Sequence, residues 1–104
     1  MMTHIETTEQ FQDAIQGDRV LVDFYAAWCG PCRMMATVLE EIAEEKKELS
    51  ILKVNVDELS DVAAEYNVSS IPMLLLIKNG KVVATQIGFL PKASLLRAIE
   101  KFLD

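Results

Sequence analysis

The chain holds only two cysteines, Cys29 and Cys32, and separates them by Gly30 and Pro31. Three chemistries are open to such a pair: a structural staple, part of a metal site, or reversible interchange of a disulfide with two thiols. A bond closing a four-residue loop constrains little unfolded chain, so a permanent staple here would contribute little stability. Zinc generally takes four ligands, and beyond the two thiols the chain offers a single remote imidazole, His4. A metal or cluster shared between two copies stays open on these grounds. Redox interchange fits the spacing best, because residues i and i+3 on a first helical turn lie roughly 5 to 6 Å apart, within the Cα window of a disulfide.

The flanking residues predict which sulfur is reactive. "RVLVDFYAA", from Arg19, is β-branched and apolar on both faces, as a central strand covered on both sides would be. From Cys32 to about Lys47 the period changes to that of a helix, with Met35, Val38, Leu39 and Ile42 on one stripe. Cys29 therefore falls at or just before a helix N-terminus, where unpaired N–H groups favour a thiolate. A free thiol of pKa ~8.5 is only about 3% ionised at pH 7, and a drop of ~1.5 units to half ionisation needs ~2 kcal/mol. The helix start plus one hydrogen bond from Cys32 can supply that. Cys29 is the expected nucleophile and Cys32, one turn inside, the expected resolving thiol. Pro31 suits a first turn that has no use for its missing N–H, and Gly30 lets another chain approach closely.

The remaining segments must hold that junction. A short strand is expected near Thr3 to Glu6, followed by a helix capped by Thr7 or Thr8 that buries Phe11, Ala14 and Ile15. "SILKVNVD" reads as a second buried strand. "SDVAAEYNV" reads as a short helix capped by Ser60 or Asp61, with Val62, Ala63 and Tyr66 inward. "PMLLLIKNGKVVATQIG" is a hairpin turning at Asn79-Gly80, and "PKASLLRAIEKFLD" a final helix with Leu95, Leu96, Ile99, Phe102 and Leu103 inward. The order β-α-β-α-β-α-β-β-α implies a largely parallel sheet with helices on both faces and an antiparallel hairpin at one edge.

The 104 residues suit one domain, 1–104, of ordinary globular composition, with 51% apolar and 25% charged residues. The net charge of −6 comes with scattered bases, which argues against nucleic acid. The N-terminal "MMTHIETTEQF" has neither the basic start nor the apolar run of a signal peptide, and no stretch is long enough to span a membrane. A cytoplasmic location is the expectation. In a reducing compartment, paired cysteines are more often catalytic or metal-binding than structural.

With Trp28-Cys29-Gly30-Pro31-Cys32 at a strand-to-helix junction, the sequence resembles the thioredoxin family along its whole length. Also matching are "VDF" from Val22, "SIP" from Ser70, "KNG" from Lys78 and "GF" at Gly88-Phe89. The resemblance implies the thioredoxin fold, a five-stranded mixed sheet flanked by four helices. It also implies reduction of disulfides in client proteins with no bound cofactor or metal. The oxidised dithiol would be re-reduced by a flavin-containing, NADPH-dependent thioredoxin reductase. Monomer is the expected state.

By the same resemblance, Pro72 follows a cis peptide bond and faces the cysteines. Trp28, Gly30, Pro31, Ile71, Pro72, Met73, Gly88 and Phe89 then line the surface on which an extended client lies, core packing being the other reading of Met73 and Phe89. Asp23 interrupts an otherwise apolar strand, so burial should raise its pKa towards neutrality. The family assigns the matching aspartate to proton transfer with the resolving thiol, and Lys53 is the candidate partner for its charge. Three positions depart from the family pattern: Thr37 where a helix-kinking proline is usual, Met73 where threonine follows the cis proline, and Tyr25 where tryptophan is frequent. Two other readings use the same residues, a binding module whose dithiol is incidental and an oxidant that donates disulfides.

Overall fold

The computed structural model describes residues 1–103. Its elements run β1 (Met2–His4), α1 (Thr8–Ala14), β2 (Arg19–Tyr25), α2 (Gly30–Glu45), β3 (Ser50–Asn55), α3 (Ser60–Glu65), β4 (Met73–Lys78), β5 (Lys81–Ile87) and α4 (Lys92–Leu103). The strands form one sheet in the order β1-β3-β2-β4-β5. β1, β3 and β2 are parallel, while β4 runs antiparallel to β2 and β5 antiparallel to β4. This is the five-stranded mixed sheet with four helices that the sequence implies.

Side-chain alternation along the central strands divides the core into two layers. Val20, Val22 and Phe24 of β2 pack with Phe11 of α1 and Leu59 and Val62 beside α3. Leu21, on the opposite face, packs with Met35, Val38, Leu39 and Ile42 of α2 and with Leu95, Ile99 and Leu103 of α4. The α2 stripe is the one its helical period predicts, and α2 runs unbroken through Thr37. In α4, Leu96 and Phe102 are only half-buried against that layer.

The short helices depend on their ends. Thr7 caps α1, its hydroxyl accepting from Gln10 N at 3.0 Å, and Gln10 Oε1 in turn accepts from Glu6 N at 2.7 Å. Glu6 thus belongs to the helix entry, and β1 ends at His4 instead of reaching Glu6 as expected. Ala14 and Ile15, expected inside, are half-buried; α1 is held by Phe11, whose ring meets Tyr66 edge-on at 5.7 Å. The cap expected at Ser60 or Asp61 is also corrected. Ser60 is already helical, and the N-cap is Leu59, which makes no side-chain cap. Leu59 is buried there, and Asn55 organises the entry instead, its Oδ1 accepting from Asp57 N at 2.8 Å and Glu58 N at 3.3 Å.

The hairpin turns where "NG" predicts, with φ of 53° at Asn79 and 81° at Gly80. A bulge interrupts its ladder between Leu76 and Ile77, whose partners are Ala84 and Val82, leaving Val83 unpaired.

Since α1 has one fully buried anchor, Phe11→Ala should lower the unfolding free energy by about 3 to 5 kcal/mol. Urea titration should show this as a lower midpoint at unchanged slope.

Candidate active site

β2 ends at Tyr25, and the chain crosses Ala26, Ala27 and Trp28 to reach α2. Cys29 is the N-cap of that helix, extended at φ −89° and ψ 111°. Its carbonyl accepts from Arg33 N at 3.3 Å, and its Sγ accepts from Cys32 N at 3.3 Å. Pro31 sits in the first turn, where its lack of an N–H leaves no bond unmade. Arg33 braces the approach by donating from Nη1 to Ala27 O at 2.9 Å. Cys29 and Cys32 are joined as a disulfide with Cα atoms 5.2 Å apart, so the spacing holds both sulfurs within bonding reach on one turn. Together with Ala26 they form a small cluster against Tyr25, Val56 and Ile71.

The Ile71–Pro72 peptide bond is cis, and the Ile71 carbonyl oxygen lies 3.9 Å from Cys29 Sγ. Behind it, Gly88 donates its N–H to Pro72 O at 2.8 Å with φ at +93°, a conformation that favours glycine. Trp28 is 70% exposed, yet its indole Nε1 donates to Asp57 Oδ2 at 2.9 Å, which steadies the ring over the rim. Met73 is buried in the layer beneath α1 and α3, and Phe89 packs against the layer of α2 and α4, so most of their surface faces the core. Gly30 is open: a Cβ there would meet only Arg33 Nη2 at 3.9 Å.

Asp23 is completely buried, on the face of β2 that it shares with Leu21 and that α2 covers. It lies opposite Lys53 in the parallel β2–β3 register, and Lys53 Nζ comes within 3.7 Å of Oδ2. That is an ion pair but too long for a hydrogen bond, and among the described residues neither carboxylate oxygen accepts one. Burial pushes the Asp23 pKa up from 3.8 to about 6, against the opposing pull of the Lys53 ammonium. Lys53 is itself 6% exposed, with Nζ 4.2 Å from the centroid of the Tyr25 ring. His4, remote in sequence, meets the other side of this group, its ring edge-on to Tyr25 at 6.5 Å.

Two participants and one contact are not visible in the sequence. Asp57 looked like any exposed acid; its one signal is a position just past the end of a strand leading to the catalytic edge. Asn55, which shapes that loop, carried only the general turn preference of its type. The contact between Tyr25 and Lys53 crosses two strands and is visible only once their register is known. No group of three or more His, Cys, Asp or Glu side chains among the described residues is placed to hold a metal ion.

Comparisons with known proteins agree with this geometry. The family model for thioredoxin matches residues 2–101. The thioredoxin of Bacillus subtilis strain 168 is 45% identical over 104 residues, covering 98% of this chain and 100% of that one. That of Alicyclobacillus acidocaldarius is 53% identical over 91 residues, covering 86% and 87% respectively. Among solved structures, the oxidised thioredoxin of Plasmodium falciparum aligns with a TM-score of 0.90 at 33% identity over 100% of both chains. A mutant thioredoxin from Halobacterium salinarum NRC-1 aligns with a TM-score of 0.92 at 33% identity, over 99% of this chain and 91% of that one.

The raised Asp23 pKa carries a stability consequence with a definite sign. Between pH 3.8 and about 6 the unfolded chain loses this proton before the folded chain does, so stability falls as pH rises through that window. Asp23→Asn removes the penalty. The oxidised variant should exceed the parent by on the order of 3 kcal/mol at pH 7.5, the attraction of Lys53 being already contained in the pKa of about 6. Below about pH 3.5 the two should unfold alike, as denaturant titrations across pH would show.

Proposed function

From the premise that this chain belongs to the thioredoxin family, we propose how its residues divide the work of a protein-disulfide reductase. The activity itself is thiol-disulfide exchange, with the Cys29–Cys32 disulfide as its redox group, disulfide-bearing proteins as clients and a reductase as partner. The observation that carries the division of roles is the Cys32 N–H aimed at Cys29 Sγ from the first turn of α2. In the reduced protein the same N–H, with the helix dipole behind it, stabilises negative charge on Cys29.

Cys29 thiolate attacks one sulfur of a client disulfide, forming a mixed disulfide and expelling the client's first thiolate. Asp23, as carboxylate, takes the proton from the Cys32 thiol. Cys32 thiolate then attacks Cys29 Sγ, the Cys29–Cys32 bond forms, and the client's second thiolate leaves. Two electrons pass from the dithiol to the client. With a pKa about 6, Asp23 is largely ionised at neutral pH yet basic enough to hold a proton briefly, which suits it to this task. Lys53 moderates its charge from across the β2–β3 register.

The client segment lies in extended form against Trp28, Gly30, Pro31, Ile71, Pro72 and Gly88, with Met73 and Phe89 supporting the surface from within. Pro72 offers no competing N–H there, leaving neighbouring backbone groups to pair with the client. Residues 1–104 work as one monomeric domain in the cytoplasm, re-reduced by a flavin enzyme that draws on NADPH. No described helix is long and apolar enough to cross a membrane.

Cys32→Ser should accumulate client mixed disulfides through Cys29, visible on non-reducing gels, whereas Cys29→Ser should accumulate none. The opposite pattern would exchange the two roles. The parent should accelerate insulin reduction by dithiothreitol while the double-serine variant leaves it at the uncatalysed rate; equal rates for the two would mark the dithiol as incidental. Consumption of NADPH in the presence of a thioredoxin reductase and insulin tests the direction of electron flow.

A further inference from the structure

Lysine ammonium and carboxylate groups free to approach one another close to a hydrogen bond of about 2.8 Å. Lys53 Nζ stops 3.7 Å from Asp23 Oδ2, although both groups are buried and no other donor among the described residues reaches that carboxylate. Its second neighbour accounts for the position. Tyr25 stands two residues beyond Asp23 on β2 and so on the same face of the sheet. Nζ lies 4.2 Å above its ring centroid, well inside the range in which an aromatic face attracts a cation. The ring is braced in turn by the edge-on contact with His4, which sits opposite Lys53 in the β1–β3 register.

We propose that Tyr25 is a positioning residue whose aromatic face holds the Lys53 ammonium in place as the electrostatic partner of Asp23. The inference deepens the function proposed above, where Asp23 carries the proton of the resolving thiol, but the placement of Lys53 can be tested without it. The charged and titratable groups around the pair are few. β3 contributes Lys53, and β1 contributes His4 beyond it. The loop after β3 contributes Glu58, which bears on Tyr25. α2 contributes Cys32, with uncharged Met35 and Leu39 over the same face, and β4 presents Leu74 across the register. Lys53 is therefore the only cation near Asp23 among the described residues, and what steers Lys53 steers the proton affinity of Asp23.

The test titrates the Asp23 side-chain carboxyl by 13C NMR in the oxidised protein and three variants. Tyr25→Phe keeps the aromatic face and should leave the midpoint within about 0.2 pH unit. Tyr25→Leu frees Lys53 to close on the carboxylate and should lower the midpoint by about half a pH unit or more, a change of roughly threefold in the dissociation constant, and a rise instead would overturn the proposal. In a Lys53→Met background the step from Tyr25 to leucine should have no effect, whereas a change in burial alone would persist there. Equal shifts in the phenylalanine and leucine variants, no shift in either, or a leucine shift that survives Lys53→Met would overturn the proposal. Should Tyr25→Leu not fold, Tyr25→Met supplies similar volume without an aromatic face. A second measurement follows the pH profile of client release from the mixed disulfide. If the midpoint moves and that profile does not, Tyr25 positions Lys53 as proposed, and the proton-carrying role of Asp23 is what fails.

Discussion

Strand β2 is hydrogen-bonded on both edges, to β3 and β4, and covered on both faces, so its register cannot slip without cost to the whole core. A shift of one residue would move every side chain to the opposite face. Phe24 would then press beneath α2, and Asp23 would lie among Phe11, Leu59 and Val62, with Lys53 on the far side of the sheet. The same register delivers the chain from Tyr25 into the start of α2 at the distance and angle that make Cys29 a helix cap. The sulfur chemistry is therefore positioned by packing some distance away from it, in particular by the apolar alternation on either side of one acid.

That acid is an expensive inclusion. A buried ion pair seldom contributes net stability, because the desolvation of two charges offsets most of their attraction. Here the pair is looser than a hydrogen-bonded one, and the Asp23 carboxyl keeps a pKa of about 6 instead of being pulled below the usual carboxylate range. A tighter contact with Lys53 would favour the ionised carboxylate further and reduce its basicity towards a thiol. The apolar layers supply the stability, and the buried carboxyl supplies a group that changes protonation near neutrality.

Much of this was legible before any coordinates. The Cys-Gly-Pro-Cys spacing, the doubly apolar strand before it and the helical stripe after it place the dithiol on a strand-to-helix junction, and Asp23 stands out as the one acid in that strand. Asn79-Gly80 marks its turn because both residues tolerate positive φ. Less legible were features that depend on neighbours brought in by the fold. The α3 entry was assigned to Ser60 or Asp61 on local preference, but burial of Leu59 shifts the cap and Asn55 takes over its hydrogen bonding. Met73 and Phe89 have the composition of surface anchors or of core, and only the layer each one faces decides between them. Tyr25, Lys53 and His4 come together through the pairing of three strands, which no short-range pattern encodes.

The irregular step in the β4–β5 ladder bears on how the molecule keeps its own company. β5 lies at the sheet's rim, and its Val82 and Val83 are 46% and 39% exposed, an invitation to any extended chain seeking a partner. Leaving Val83 out of the pairing coils this border and spoils the even row of amides on which a foreign strand would template. For a protein whose clients are other polypeptides, such a frayed margin has a use: the flank resists stacking into fibrous assemblies.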